Sequence, residues 1–169
     1  MKLFLIIGLV ISIIVYPNYS NANNLVKPWN WDQIDCLTKG IYYEAGWESS
    51  AGQELVAHTI LNRVESNKFP NTICKVIYAP HQFSWTTFKK VSTINKDRWI
   101  KSQKIAYITY QRDYWWTNKN SPLIYKKINI EYIYWFMNSK KTSNAVKNQW
   151  KKVAKPYLIE GNHTFWIPK

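Results

Sequence analysis

Acidic residues are scarce in this 169-residue chain: 10 Asp+Glu stand against 23 Lys+Arg, a formal charge of +13. Glycine is scarce too, at 5 residues, and with 7 prolines this excludes fibrous and low-complexity classes. There is no Gly-x-Gly-x-x-Gly and no P-loop, so nothing marks a cradle for nucleotide phosphates. There is no Gly-x-Ser-x-Gly elbow and no His-Glu-x-x-His, which removes two common hydrolase signatures. Two cysteines alone cannot build a structural zinc site. Beyond residue 15 no apolar run approaches the eighteen or so residues that a membrane-spanning helix needs.

What is present is aromatic and basic. Trp, Tyr and Phe make up 17 % of the chain, with 10 Trp and 12 Tyr, and apolar residues reach 46 %. Disorder is excluded by that apolar content, and the length suits one domain with a real core. A basic, aromatic-rich globule suits a polyanion, a carbohydrate or both.

The N-terminus has the layout of a secretory signal peptide. Lys2 precedes the apolar run Leu3 to Val15, and Ser20-Asn21-Ala22 supplies small residues for cleavage. As a helix the run rises only about 20 Å, short of a bilayer core. The expected organisation is a signal over 1–22 and one working domain over 23–169, exported to the periplasm, cell wall or medium. Removing 1–22 takes away only Lys2 among the charges and leaves +12, so the basicity belongs to the domain. In an oxidising compartment Cys36 and Cys74 fit one bridge, with two buried thiols as the alternative.

Helical spacing joins Ile34, Leu37, Ile41 and Ala45, with Asp32 as N-cap and Gly46 as stop. Ser50 to Gln53 reads as a capping box opening a second helix, with Val56, Ile60 and Val64 as its stripe. A short helix is expected over Thr72–Ala79 and a longer one from Asp97 to about Tyr114. Ile128–Met137 fits a buried helix or a strand equally. Ala145–Ala154 reads as a helix, and Leu158–Ile167 as a hairpin or loop. The sum is a mainly α single domain, with α+β possible.

Most carboxylates have bland settings. Asp32 and Asp35 suit a helix start, Glu48, Glu54, Glu65 and Asp97 read as solvated, and Glu131 and Glu160 say little alone. Asp113 lies among aromatic residues. Glu44 stands at the edge of an apolar stripe beside Tyr42, Tyr43 and Trp47, near a helix C-terminus. Desolvation and the helix dipole both disfavour its charge, which is how a general acid is tuned. An edge glutamate that reaches into water fits the same pattern. His58, His81 and His163 lie far apart in sequence and could meet at a metal only through the fold.

One ordered series of residues carries more. It runs Ile41-Tyr42-Tyr43-Glu44-Ala45-Gly46-x-Glu48, Gly52-Gln53, Ala57-x-x-Ile60-Leu61-Asn62-Arg63-Val64, Phe69-Pro70-Asn71-Thr72-Ile73-Cys74-x-Val76-Ile77 and Gln82-Phe83-Ser84. It resembles the SleB-like cell-wall hydrolase family of spore-cortex-lytic enzymes and phage-type wall hydrolases. Ile159-x-Gly161-Asn162-His163-x-Phe165 is similar to that family's closing segment.

The resemblance implies a lysozyme-like, lytic-transglycosylase-like domain with a minor β element. It also implies cleavage between N-acetylmuramic acid and N-acetylglucosamine, with no cofactor and no metal. Its catalytic acid falls on Glu44. Tyr43, Gln82, Phe83, Ser84, Tyr134 and His163 are the expected substrate contacts. Asn62 and Arg63 read as structural, with ligand contact as the alternative. Two departures stand out: Gly46-Trp47 replaces the usual Arg or Asn after Glu-Ala, and Tyr132 to Asn138 lacks the expected histidine. The expected partners are peptidoglycan glycan strands and the anionic wall surface, with no nucleic acid and no stable membrane span after signal removal. The competing readings are a zinc amidase built on His58, His81 and His163, and a non-catalytic wall-binding module.

Overall fold

The structure is a computed structural model and describes residues 29–87, 94–111 and 133–169. The signal-like segment lies outside them, as do Asp113, Glu131 and residues 128–132. Helix α1 (Trp31–Ala45) buries Ile34, Leu37, Ile41 and Ala45, the stripe that the spacing predicts. Its cap is Asn30 and not Asp32, because the Asn30 side chain accepts from Gln33 N. Helix α2 (Ser50–Glu65) is capped by Ser49, one residue before the sequence expectation. Gln53 closes no capping box. It is buried, donating to Glu48 O at 3.3 Å and accepting from Ser102 at 3.3 Å, so it ties α2 to the helix that carries Ser102.

Helix α2 is buried on most sides, which makes it the central element. Helices α1, α3 (Ile73–Ile77) and α4 (Lys96–Tyr110) pack around it. Helix α4 runs antiparallel to α1. Tyr42 meets Trp99 at one end, and Trp31 meets Tyr107 at the other. Leu37, Ile41, Val56, Ile60, Val76, Ile77 and Phe83 form the core between them. A disulfide joins Cys36 of α1 to Cys74 of α3 across 38 residues. A loop of that length is worth about 4 kcal/mol in the chain-entropy account.

The C-terminal part is β1 (Trp135–Asn138), α5 (Asn144–Val153), β2 (Ala154–Glu160) and β3 (His163–Pro168). The sheet order is β1-β3-β2, all antiparallel, with Phe136 opposite Phe165 and Glu160 opposite His163. Thus the 128–137 segment ends as a strand and the tail is a hairpin. Pro156 is tolerated because β2 is an edge strand with a register irregularity there. The fold is mainly α, as the helical spacing predicts, with the minor sheet that the family resemblance implies.

Glu48 is not solvated, contrary to its sequence setting. Its side chain is 11 % exposed and accepts from Asn162 N and from Asn162 Nδ2 at 2.9 Å, holding the β2–β3 turn on the α1–α2 junction. Ser49 adds a 2.7 Å bond to Glu160. Gly161 has φ +58, and a Cβ there would collide with the Glu48 carboxylate. Gly161→Ala is therefore expected to lower the unfolding free energy by about 2 kcal/mol, read as an earlier urea midpoint with an unchanged m value. An unshifted midpoint would mean that the turn does not depend on Glu48.

Candidate active site

Glu44 sits in the last turn of α1, where the carbonyl ends of the helix already disfavour negative charge. Burial pushes its pKa from an ordinary 4.5 to about 7. The Arg63 guanidinium and the Trp85 indole pull it back part of the way. Trp85 Nε1 is a buried donor, and its N–H favours the charged form of Glu44. At neutral pH such a carboxyl is poised between acid and base, and of the two open readings the buried acid is the one realised.

Arg63 comes from the last turn of α2. It donates through Nε to Tyr134 O at 2.8 Å and through Nη1 to Gln82 Oε1 at 3.4 Å. Its guanidinium lies between the rings of Phe69 and Phe83, 5.5 and 5.7 Å from their centroids. Burial lowers its pKa to about 10, and Glu44 raises it, so it remains charged at pH 7. Asn62, its neighbour, donates to Ile133 O at 2.8 Å. Two consecutive residues of α2 thus clamp the chain that enters β1.

The expected contact residues divide into two groups. Tyr43 stacks on Trp85 at 4.5 Å beside Glu44. Gln82 and Tyr134 gather at Arg63, and the Tyr134 ring lies parallel to Phe69. Ser84 is exposed and opens the 3-10 turn Ser84–Thr87 that carries Trp85. Phe83 and His163 are corrections. Phe83 is 2 % exposed and forms the floor under Arg63 and Trp85, so its ring has no face to offer a sugar. His163 is 3 % exposed, packed on Phe136 and Phe165, with Nδ1 3.7 Å from Glu48. It belongs to the hairpin anchor.

Trp85 escaped the sequence reading, although it directly follows Gln82-Phe83-Ser84. Nothing in the sequence links Arg63 to Glu44, because the two lie 19 positions apart on different helices. His58 is buried in α2 and His81 is exposed, so the three histidines do not converge. Among the described residues no three His, Cys, Asp or Glu side chains come together in a way that could hold a metal ion. Among the same residues no helix is long and apolar enough to cross a membrane.

A family model described as Cell Wall Hydrolase matches residues 47–166, most of the chain. The chain belongs to the cell wall hydrolase family. Glu44 lies three residues before the matched span, so its assignment rests on its own geometry and on the Tyr-x-Glu-Ala resemblance. The spore cortex-lytic enzyme of Bacillus cereus is 35 % identical over 68 residues, 40 % of this chain and 26 % of that protein. That of Bacillus subtilis (strain 168) is 36 % identical over 63 residues, 37 % of this chain and 21 % of the relative. The chain spans about a quarter of the length of the curated relatives it matches.

Among solved structures, the catalytic domain of the Bacillus cereus SleB protein superposes with a TM-score of 0.57 at 22 % identity. It covers 86 % of this chain and 98 % of that one. The catalytic domain of germination-specific lytic transglycosylase SleB from Bacillus anthracis gives 0.56 at 22 %, covering 82 % and 97 %. This cell wall hydrolase shares their lysozyme-like fold.

Proposed function

We propose that this cell wall hydrolase cuts the glycan strand of peptidoglycan between N-acetylmuramic acid and N-acetylglucosamine, as a lytic transglycosylase with Glu44 as its acid. The observation that carries the reading is the setting of Glu44. It is a buried carboxyl with its pKa raised to about 7, so that near neutral pH it can both give and take a proton, with the Arg63 guanidinium and the Trp85 indole beside it. Inverting and retaining glycosidases need two carboxyl groups at defined separations. A transglycosylase needs one, because the substrate supplies the nucleophile.

The steps balance on Glu44 alone. Its proton passes to the glycosidic oxygen, the C1–O bond breaks, and positive charge develops on the muramyl ring. The Arg63 charge stabilises the Glu44 carboxylate so formed. The 6-hydroxyl of the same sugar then attacks C1 and returns its proton to Glu44, leaving a 1,6-anhydro end and a regenerated acid. Tyr43 on Trp85, with Gln82, Ser84 and Tyr134 nearby, offers the mixed aromatic and polar lining that sugars bind.

Residues 1–22 act in this reading as an export signal, and the +12 charge left on the domain concentrates the enzyme on an anionic wall. Mass spectrometry of the products from purified sacculi tests the assignment. Anhydro-muropeptides are expected. Reducing-end products, heavier by one water, would replace it with hydrolysis, and freed peptides on intact strands would remove glycan cleavage altogether.

A further inference from the structure

Trp47 is 81 % exposed, more than any other large hydrophobic residue among those described. Its position is tightly set all the same. Gly46 keeps right-handed helical geometry, φ −59 and ψ −18, and its N–H bonds to Tyr42 O. Glu48 N bonds to Ala45 O at 2.8 Å. Helical winding therefore continues past α1, and Trp47 stands three residues after Glu44 on the same face. Residues so spaced are surface neighbours, about 5–6 Å apart at Cβ. A Cβ at position 46 would run into the Tyr42 carbonyl, so glycine is what permits this winding.

The turn that carries the ring lies against the start of α4. The Tyr42 hydroxyl accepts from Asn95 N at 2.8 Å, and Tyr42 meets Trp99 edge to face, which pins the start of α4 to the end of α1. Asn95 caps α4 through Arg98 N, and the Arg98 guanidinium lies over the Trp47 ring. A large aromatic side chain thus stands in water on the turn that follows Glu44, with a cation against it. An indole with only two side-chain torsions loses little entropy when it takes up a ligand. The apolar C–H face of a pyranose ring matches an aromatic face, and the acetamido group adds a methyl contact and polar atoms within reach of Arg98.

We propose that Trp47, backed by Arg98, is a stacking subsite for an N-acetylated hexosamine of the glycan strand, adjoining the bond that Glu44 cleaves. The inference rests on the glycan-cleavage reading for its substrate class. It adds a binding contact outside the expected cleft residues, and it makes the rim beside α4 part of the strand's path.

Trp47→Ala, Trp47→Phe and Arg98→Ala are to be assayed on solubilised peptidoglycan glycan fragments, with the same fragments titrated against Glu44→Gln and Glu44→Gln/Trp47→Ala. Trp47→Ala is expected to raise KM about tenfold, a stacking contact's worth, with kcat within about twofold and the alkaline limb of the pH profile unmoved. Phe at 47 restores most of the affinity, and Arg98→Ala has a smaller effect in the same direction. In the Glu44→Gln background, loss of the indole weakens fragment binding by the same factor. Unchanged KM and unchanged binding in that background would overturn the subsite, as would failure of Glu44→Gln to bind fragments at all. Turnover persisting in Glu44→Gln would instead overturn the acid assignment, and the binding titrations would still decide on Trp47.

Discussion

Glu44→Gln is expected to lower turnover on sacculi by about 10³-fold, the scale of losing a positioned general acid, while making the protein harder to unfold at pH 8. Both effects come from the same burial. In the unfolded chain the carboxyl titrates near 4.5, and in the fold near 7. The folded state therefore holds more protons across that window, and stability falls as pH rises from about 4.5 to about 7, then levels. At pH 8 the ionised side chain costs about 3 kcal/mol relative to a neutral one. Glutamine is neutral at every pH. Its advantage is full above pH 7 and vanishes below about 4.5.

Urea unfolding of both proteins at pH 4 and pH 8 reads this directly. Equal stability at pH 8 would show that Glu44 ionises freely in water. The wild-type kcat/KM should fall tenfold per unit of pH above about 7, because only the protonated acid starts the reaction. A profile still rising at pH 9 would rule Glu44 out as the acid.

Arg63→Met is expected to cost about 3 kcal/mol of stability, the scale of removing one partner from a buried charged cluster. The Tyr134 carbonyl loses a 2.8 Å donor and Gln82 loses its contact. The same change removes the cation that lowers the pKa of Glu44, so the alkaline limb should move to higher pH. Arg63→Lys separates the two effects. It keeps the charge but lacks the planar fork, so stability should drop with the limb nearly in place. A limb that stays put in Arg63→Met would mean that Arg63 supports the fold without acting on the acid.

The helices were legible wherever one face is buried and the other wet. The Ile34, Leu37, Ile41, Ala45 stripe places α1 correctly, and polar and Gly/Pro punctuation bounds α2 and α3. Caps moved by a residue or two because several neighbouring side chains can cap equally well in sequence, and backbone geometry selects one. Phe83 was misassigned for a similar reason. An aromatic residue beside Gln82 and Ser84 reads as cleft or core alike, and only packing under Arg63 decides for core. Glu48 and His163 lie more than a hundred residues apart, so no local pattern could pair them.

By itself the sequence determined the helical periods, the basic and aromatic character, the single distinctive carboxyl and the family series, because these depend on neighbours within a few residues. The tertiary structure decided what Glu44 is worth. Its desolvation, its cation from α2, its indole from the 3-10 turn and the exposed ring of Trp47 under Arg98 all depend on elements that meet only when the core closes. Electrostatic shifts depend on distance and burial in space, and neither is a property of position along a chain.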